Sequence, residues 1–340
     1  MLRVFRRIRA VRQGYSASYT PEGLGLSCRL ESAPAIPIAA PLRSAIHAKV
    51  DIADWTGIAA LMESARVRLS ETGDGVRLHR RIWNEAFTYL EGDLDGEAEP
   101  DDIARRLRPL LDHHAANPRE PIAAGMAASV LCRIGHAHRG CGWAHTVSDE
   151  GWRRFEEAAR LADEAMDLAG EHWFLDETRL AIAQSQCIDR EEAWRRYRVC
   201  VTADPFSAST YLTGMTLFLP RWYGSLDDMM RCARTAADRT QSLYGQMLYA
   251  ACLCDVAWAG HTDELPIDLD RLQRGLDDWQ ARCPQSEAAT HAANLAYDAS
   301  DVGRFLEVVE TADVLYEQTW AYQGSILATY AMEKTGLNSF

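Results

Sequence analysis

Residues 192–225 read EAWRRYRVCVTADPFSASTYLTGMTLFLPRWYGS, and this stretch decides the fold class. Within it, Ala193, Tyr197, Cys200 and Pro205 follow one another at offsets of four, three and five residues. Such offsets place small and bulky side chains on one packing face of a helix before proline ends that helix. The stretch therefore predicts the second helix of a stacked hairpin, and it identifies no reaction.

The same helical periodicity extends outward through most of the chain after about residue 44, and no series of strands competes with it. The repeats are degenerate. The copy that ends at Pro205 fits the tetratricopeptide pattern well, whereas the next copy needs an insertion, which residues 219–225 supply. The sequence thus predicts an all-α protein of stacked antiparallel helical hairpins, a degenerate tetratricopeptide-like α-solenoid.

Individual helices follow from apolar residues at three- and four-residue steps, from capping residues such as Asp54 and Ser148, and from proline stops. Pro109 is expected to kink or shorten the helix that contains it. The predicted helices cover residues 54–65, 78–90, 101–111, 122–134, 148–168, 178–188, 190–203, 209–219, 226–239, 243–259, 269–283, 285–299, 302–318 and 325–333.

The chain is predicted to have a basic arm with an extended linker at residues 1–43 and a helical-repeat body at residues 44–340. A short hairpin around Pro21 is a further hypothesis for the linker. The acidic stretch at residues 91–102, EGDLDGEAEPDD, interrupts the helical pattern. It suggests a division of the body into a small unit at residues 44–100 and a main body at residues 101–340.

The charge and the cysteine content limit which classes of partner and which cell compartment are expected. The net charge of −13 disfavours binding to nucleic-acid backbones. Nine irregularly spaced cysteines with no secretory signal favour a reducing cytoplasm. The first twelve residues hold five arginines and no acid, so three hypotheses stand for this arm: folding back on the acidic body, anchoring on a membrane surface, or disorder. The arginines are Arg3, Arg6, Arg7, Arg9 and Arg12.

Several motifs between residues 103 and 240 resemble an uncharacterised bacterial domain family. They are a His-Arg-Gly segment at residues 138–140, a helix that begins near Trp152, the helix stop Asp204-Pro205, and a Pro-Arg-Trp-Tyr-Gly-Ser loop at residues 220–225. The loop is the most specific of them. Because this family has no established activity, the resemblance implies the helical fold and leaves the function open. An accessory role in a larger bacterial system is a separate part of the function hypothesis.

The densest group of potential metal ligands lies in the segment HAHRGCGWAH at residues 136–145. His136, His138, Cys141 and His145 are ligand types for Zn or Cu, if a loop folds them around one ion. Their spacing matches no standard zinc module, so a glycine-rich turn between helices is the favoured explanation of the segment. No other cofactor is predicted.

The loop at residues 220–225 has two interpretations. As a binding site, Arg221 with Trp222 and Tyr223 grips an anionic or aromatic ligand through guanidinium bonds and ring stacking. As a structural turn, Trp222 fills the core, Gly224 supplies a positive φ, and Ser225 caps the next helix.

The favoured function is a non-catalytic helical-repeat protein that binds a protein or peptide in a groove lined by residues such as Gln184, Tyr211 and Phe218. The alternative is an enzyme or a ligand- or metal-binding protein, with a site where residues 136–145, including Arg139, meet residues 221–223. No common nucleotide-binding, zinc-protease or hydrolase motif is present, so a catalytic function has no motif behind it. The oligomeric state is left open.

Overall fold

The structure is a computed structural model of the full chain. It describes residues 21–31, 38–72, 76–92, 94, 98–140, 146–186, 188–256, 265–284, 286–298, 300–316 and 326–335. The basic arm, most of the proline-containing linker, Cys141 and His145 lie outside the described residues, so the hypotheses about them stay untested.

The described residues form fifteen α-helices and two three-residue strands, which confirms the all-α prediction. Helices that follow one another in the chain pack as neighbours, an arrangement compatible with a helical-repeat fold. The helices are α1 (Ala40–Asp51), α2 (Trp55–Val67), α3 (Leu78–Glu91), α4 (Pro100–Ala116), α5 (Pro121–Arg139), α6 (Asp149–Ala169), α7 (Trp173–Ala181), α8 (Arg190–Ala203), α9 (Ala208–Leu217), α10 (Leu226–Tyr244), α11 (Met247–Asp255), α12 (Leu269–Arg282), α13 (Ala288–Asp298), α14 (Val302–Thr311) and α15 (Ile326–Thr335).

The chain divides into two compact units, and the boundary falls within α10. Residues 37–229 form one unit, which holds α1–α9 and the first turn of α10. The described residues within 1–36 and 230–340 form the other, which holds the strands, the rest of α10 and α11–α15. A boundary near residue 100 stays a prediction; residues 44–100 and 101–229 belong to the same unit.

Local capping signals explain where several helices begin. The carboxylate of Asp54 accepts a hydrogen bond from the Gly57 amide at 2.8 Å, and the Ser148 hydroxyl accepts one from the Gly151 amide at 3.1 Å. Each bond satisfies an amide that the first helical turn leaves without a partner. The predicted capping roles of Asp54 and Ser148 are therefore confirmed.

Helix α8 carries the packing face that the opening stretch predicts. Ala193, Tyr197 and Cys200 are 0%, 2% and 4% exposed. The aromatic ring of Tyr197 packs edge-on against those of Tyr211 and Phe218, with centroids 6.2 and 5.3 Å apart. The bounds of α8 coincide with the predicted helix at residues 190–203.

Pro109 does not shorten its helix, so that part of the prediction is wrong, while a kink at Pro109 stays a prediction. Helix α4 continues through it to Ala116. Pro109 is exposed, whereas Leu107 and Leu110 on the opposite face are 0% and 1% exposed. Burial of these two leucines favours the helical path, and the carbonyl that loses a partner at Pro109 lies on a face that water can reach.

The helix predicted at residues 178–188 is also wrong in its bounds. Helix α7 begins earlier, where the Nδ1 atom of His172 accepts a hydrogen bond from the Phe174 amide at 3.2 Å. It ends at Ala181 and is followed by a short 3-10 turn, Ala183–Ser185. The residues of this turn form polar contacts with other segments of the chain instead of continuing the helix.

The helix predicted at residues 302–318 ends at Thr311, and Val314–Tyr316 form strand β2. This strand pairs in parallel with β1 (Arg29–Glu31), with Arg29 opposite Val314. Val314 and Leu315 are completely buried, and the amide of Tyr316 donates to the Thr290 hydroxyl at 2.9 Å. A partner strand distant in sequence overrides the local helical pattern here. In the linker, Glu22–Leu24 form a 3-10 turn.

No helix in the described part of the chain is long and apolar enough to cross a membrane.

Candidate functional site

The two turns that the sequence nominates contact the same short segment, the 3-10 turn after α7. The Nε2 atom of His136 lies 2.8 Å from the Ser185 hydroxyl oxygen and is hydrogen-bonded to it. From the other turn, the Tyr223 hydroxyl is hydrogen-bonded to the carbonyl oxygens of Ala183, at 3.0 Å, and Gln186. Residues 183–186 therefore bridge the C-terminal end of α5 and the loop before α10.

Polar side chains around this bridge have partners within the protein. The Gln186 amide nitrogen donates to Asp163 at 2.6 Å, and its amide oxygen accepts from Arg196. Arg196 also donates to the Arg179 carbonyl at 3.0 Å and to Glu192 at 2.8 Å. Burial raises the pKa of Asp163 despite the nearby charge of Arg196. This network holds the segment in place and leaves few of its polar groups free for a ligand.

The proposed metal ligands are only partly described. His136, at the end of α5, is an exposed residue, but Phe155 packs against its ring with centroids 5.1 Å apart. Desolvation of the ring, together with the charges of Arg139 and Arg133, lowers the pKa of His136. His138 is half-buried. Among the described residues no cluster of three or more His, Cys, Asp or Glu side chains is suited to a metal ion, and the metal site stays a prediction.

Arg139 lies in the last turn of α5. One guanidinium nitrogen donates to the Gly140 carbonyl at 3.1 Å, and the guanidinium carbon lies 5.2 Å from the ring centroid of Trp152. Gly140 has φ +75°, a conformation that favours glycine, and ends the helix. The rest of the predicted glycine-rich turn, residues 141–145, lies outside the described residues, and a binding role for Arg139 stays a prediction.

The loop at residues 220–225 follows its structural interpretation only in part. Trp222 is 39% exposed, so it does not fill the core as expected. The backbone of Gly224 is not in the positive-φ region. Glycine is required because a Cβ atom would lie 2.6 Å from the Phe218 carbonyl carbon. Ser225 caps α10, as predicted, by accepting from the Asp228 amide at 3.2 Å.

Arg221, Trp222 and Tyr223 have different surroundings, and a binding role for them stays a prediction. Arg221 and Trp222 are exposed, whereas the Tyr223 hydroxyl points to the bridge at residues 183–186. Tyr211 and Phe218 are completely buried, and Phe218 stacks on Trp194 with centroids 3.9 Å apart. The prediction of a groove lined by Tyr211 and Phe218 is therefore wrong, because these side chains form the hairpin core.

A groove with a volume of about 670 Å³ lies elsewhere in the same unit, between α1, α3 and α4. We call it the α1–α3–α4 groove. Helix α1 contributes His47 and Asp51, and α3 contributes Glu85 and Tyr89. Helix α4 contributes Arg106.

His47 and Tyr89 form a stacked pair in this groove. Their ring centroids are 3.8 Å apart, and the ring planes differ by 8°. The Nε2 atom of His47 lies 2.6 Å from a carboxylate oxygen of Glu85, which Arg43 approaches to 3.5 Å. Glu85 therefore has its charge compensated inside the protein.

Asp51 has a different environment. It is exposed, and one carboxylate oxygen accepts a hydrogen bond from the Tyr89 hydroxyl at 3.0 Å. This bond, with burial and the carboxylate charge, raises the pKa of Tyr89, while the charge of Arg106 acts in the opposite direction. Asp51 forms no ion pair with any described residue.

Arg106 is held over the backbone of α3. Its Nε atom donates to the Leu90 carbonyl at 2.7 Å. Its guanidinium covers Gly92, where an added Cβ would lie 2.6 Å from a terminal nitrogen. Gly92 has φ +61°, which favours glycine. Arg106 lines the groove, and no carboxylate of the described residues forms an ion pair with its guanidinium.

Sequence reasoning missed this groove. The sequence nevertheless holds a partial signal: His47 and Asp51, like Glu85 and Tyr89, are four residues apart and share a helix face. What the sequence did not provide was the packing of α1 against α3.

Comparisons of the chain with protein-family models, with curated proteins and with solved structures found no match.

Proposed function

We propose that the chain is a non-catalytic binding protein and that a peptide segment of its partner enters the α1–α3–α4 groove. The observation that carries this proposal is that Asp51 and Arg106 line the groove and have no ion-pair partner among the described residues. Charged groups left uncompensated in a concave surface are suited to a polar ligand. A volume of about 670 Å³ suits a short peptide segment.

The same proposal includes three further features that the sequence predicts. They are a tetratricopeptide-like array, an accessory role in a bacterial system, and action in the cytoplasm. Stacked helical hairpins commonly present extended surfaces to peptide partners, which supports the array as the scaffold for such a groove. The net charge of −13 supports a protein partner over a nucleic acid.

Site-specific photocrosslinking tests the proposal. A photoreactive phenylalanine analogue replaces Thr88, which is exposed and lines the groove, in cells that make the protein. The control carries the analogue at Arg105, whose side chain is 76% exposed and pairs with Asp102 on the surface of α4. We expect a crosslinked protein at position 88 that is absent at position 105. Equal products at both positions, or none, contradict the proposal.

A second candidate is a ligand or metal site near residues 136–145 and 221–223. It is supported by the shared contact of His136 and Tyr223 with residues 183–186. Because Ser185 engages Nε2 of His136, an ion would have to use Nδ1 or displace Ser185. Stoichiometric Zn or Cu in the purified protein, lost in the double variant His136→Ala, His138→Ala, would support this candidate. Its absence would remove the metal form of it.

A further inference from the structure

Two side chains of opposite charge line the α1–α3–α4 groove and do not pair with each other. Both Asp51 and Arg106 line the groove, yet no nitrogen of Arg106 lies within 4.0 Å of an Asp51 oxygen. An isolated guanidinium and carboxylate on one surface attract each other and normally pair when side-chain torsions allow. Here both side chains are held by other contacts, so they do not form an ion pair with each other.

The restraints on the two groups are independent. Arg106 is fixed through Nε by the Leu90 carbonyl and by its position over Gly92, which leaves its terminal nitrogens for bidentate binding. Asp51 is fixed through one oxygen by the Tyr89 hydroxyl, which leaves the second oxygen free to accept. Pre-organised groups of this kind lose little conformational entropy when a ligand binds.

A ligand with a single charge fits this pair poorly. An anion on Arg106 approaches the uncompensated carboxylate of Asp51, and a cation on Asp51 approaches the guanidinium. A ligand with both charges satisfies the two groups together. The stacked rings of His47 and Tyr89 provide a flat surface for the uncharged part between them.

We infer that the α1–α3–α4 groove binds a short zwitterionic peptide, whose terminal carboxylate pairs with Arg106 and whose terminal ammonium pairs with Asp51. Free peptide termini carry these charges at neutral pH. The inference goes beyond the proposed function, because it assigns to the same groove a free short peptide with both termini unblocked.

Thermal stabilisation by blocked and unblocked tripeptides tests it. Four equimolar mixtures of tripeptides are used at one concentration: unblocked, N-acetylated, C-amidated and doubly blocked. A ligand that binds only the folded state raises the melting temperature according to its affinity. For the wild type we expect the unblocked mixture to bind roughly tenfold more tightly than either singly blocked mixture, because each block removes one charge-assisted contact.

Variants assign each charge to its residue. In Arg106→Gln the unblocked and C-amidated mixtures should stabilise equally, and in Asp51→Asn the unblocked and N-acetylated mixtures should do so. Asparagine retains an oxygen that accepts from Tyr89. Arg105→Gln and Asp167→Asn remove exposed charges that do not line the groove, and should behave as the wild type. Melting without peptide checks that each variant folds.

The outcomes separate this inference from the proposed function. Equal stabilisation by all four mixtures, or a preference for free termini that persists in Arg106→Gln and Asp51→Asn, overturns the inference. If crosslinking at position 88 still captures a partner, the proposed function stands. If unblocked peptides bind as expected but crosslinking captures no protein, the zwitterion site stands and the protein-binding function does not.

Discussion

Arg77 and Asp204 form a bidentate ion pair that is almost completely buried. The Nε and Nη2 atoms of Arg77 each lie 2.6 Å from a carboxylate oxygen of Asp204, and the side chains are 5% and 6% exposed. The pair joins the residue before α3 to the residue after α8, 127 positions apart in the sequence. Asp204 therefore does more than mark the end of a helix before proline.

Removal of one partner should destabilise the protein strongly. In Asp204→Ala the buried Arg77 guanidinium loses its bidentate partner and keeps only the Glu71 carboxylate, 3.3 Å from Nη1, so we expect a loss of about 3 kcal/mol in the free energy of unfolding. Denaturant unfolding measures it. The control Asp102→Ala removes an exposed pair with Arg105 and should cost at most about 1 kcal/mol. Similar losses in the two variants would contradict a structural role for the buried pair.

Gly224 should not tolerate a side chain. In Gly224→Ala the new Cβ meets the backbone of Phe218, which cannot move without disturbing the end of α9, so we expect a loss of about 1–3 kcal/mol. Gly303→Ala is the matched control, because a Cβ at this helical glycine meets only Asp301 Oδ1, at an ordinary contact distance of 3.6 Å, and the alanine should be neutral or stabilising. Thermal melting of both variants decides the point, and an unchanged melting temperature for Gly224→Ala would refute it.

The ionisation of Glu177 should make the free energy of unfolding depend on pH in the acidic range. Burial alone would raise its pKa, but a hydrogen bond with His79 and the charges of Arg80 and Arg66 outweigh burial and hold the pKa below 4.5. A carboxyl with a lowered folded-state pKa stabilises above its unfolded-state pKa, and this contribution is lost as the pH falls towards the folded value. Below about pH 4.5 the wild type should lose stability more steeply than Glu177→Gln. Denaturant unfolding from pH 7 to about pH 3 measures both slopes, and parallel curves would count against this role.

Two buried thiols should resist alkylation in the folded protein. Burial raises the pKa of Cys132 and of Cys200 to about 12. Because the thiolate is the reactive form, iodoacetamide at about pH 8 should modify them roughly a thousandfold more slowly than in denaturant. Peptide mass spectrometry after timed labelling gives both rates. Comparable rates would mean that these thiols reach solvent in the native protein.

Helix starts were predictable because their signals are local. Asp54, Ser148 and Ser225 each accept from an amide three residues ahead, a contact that the sequence encodes directly. Strand β2 could not be predicted in this way. Its residues lie in a stretch with a helical pattern, and they are extended only because a partner strand and Thr290 provide their hydrogen bonds.

The candidate groove lay beyond sequence reasoning for the same physical reason. His47 contacts Glu85 across 38 positions, and nothing in the residues between them encodes that distance. Conversely, the spacing of Tyr211 and Phe218 indicated a helix face without revealing that the face would be covered. Periodicity tells which residues share a face; burial depends on what packs there.

Tyr223 ties two connections between helices together. Its hydroxyl reaches from the loop between α9 and α10 to the connection between α7 and α8, where it is hydrogen-bonded to the carbonyl oxygens of Ala183 and Gln186. One phenol group therefore fixes the distance between these two connections. A change in the length of either connection would break both hydrogen bonds unless the other connection changed with it.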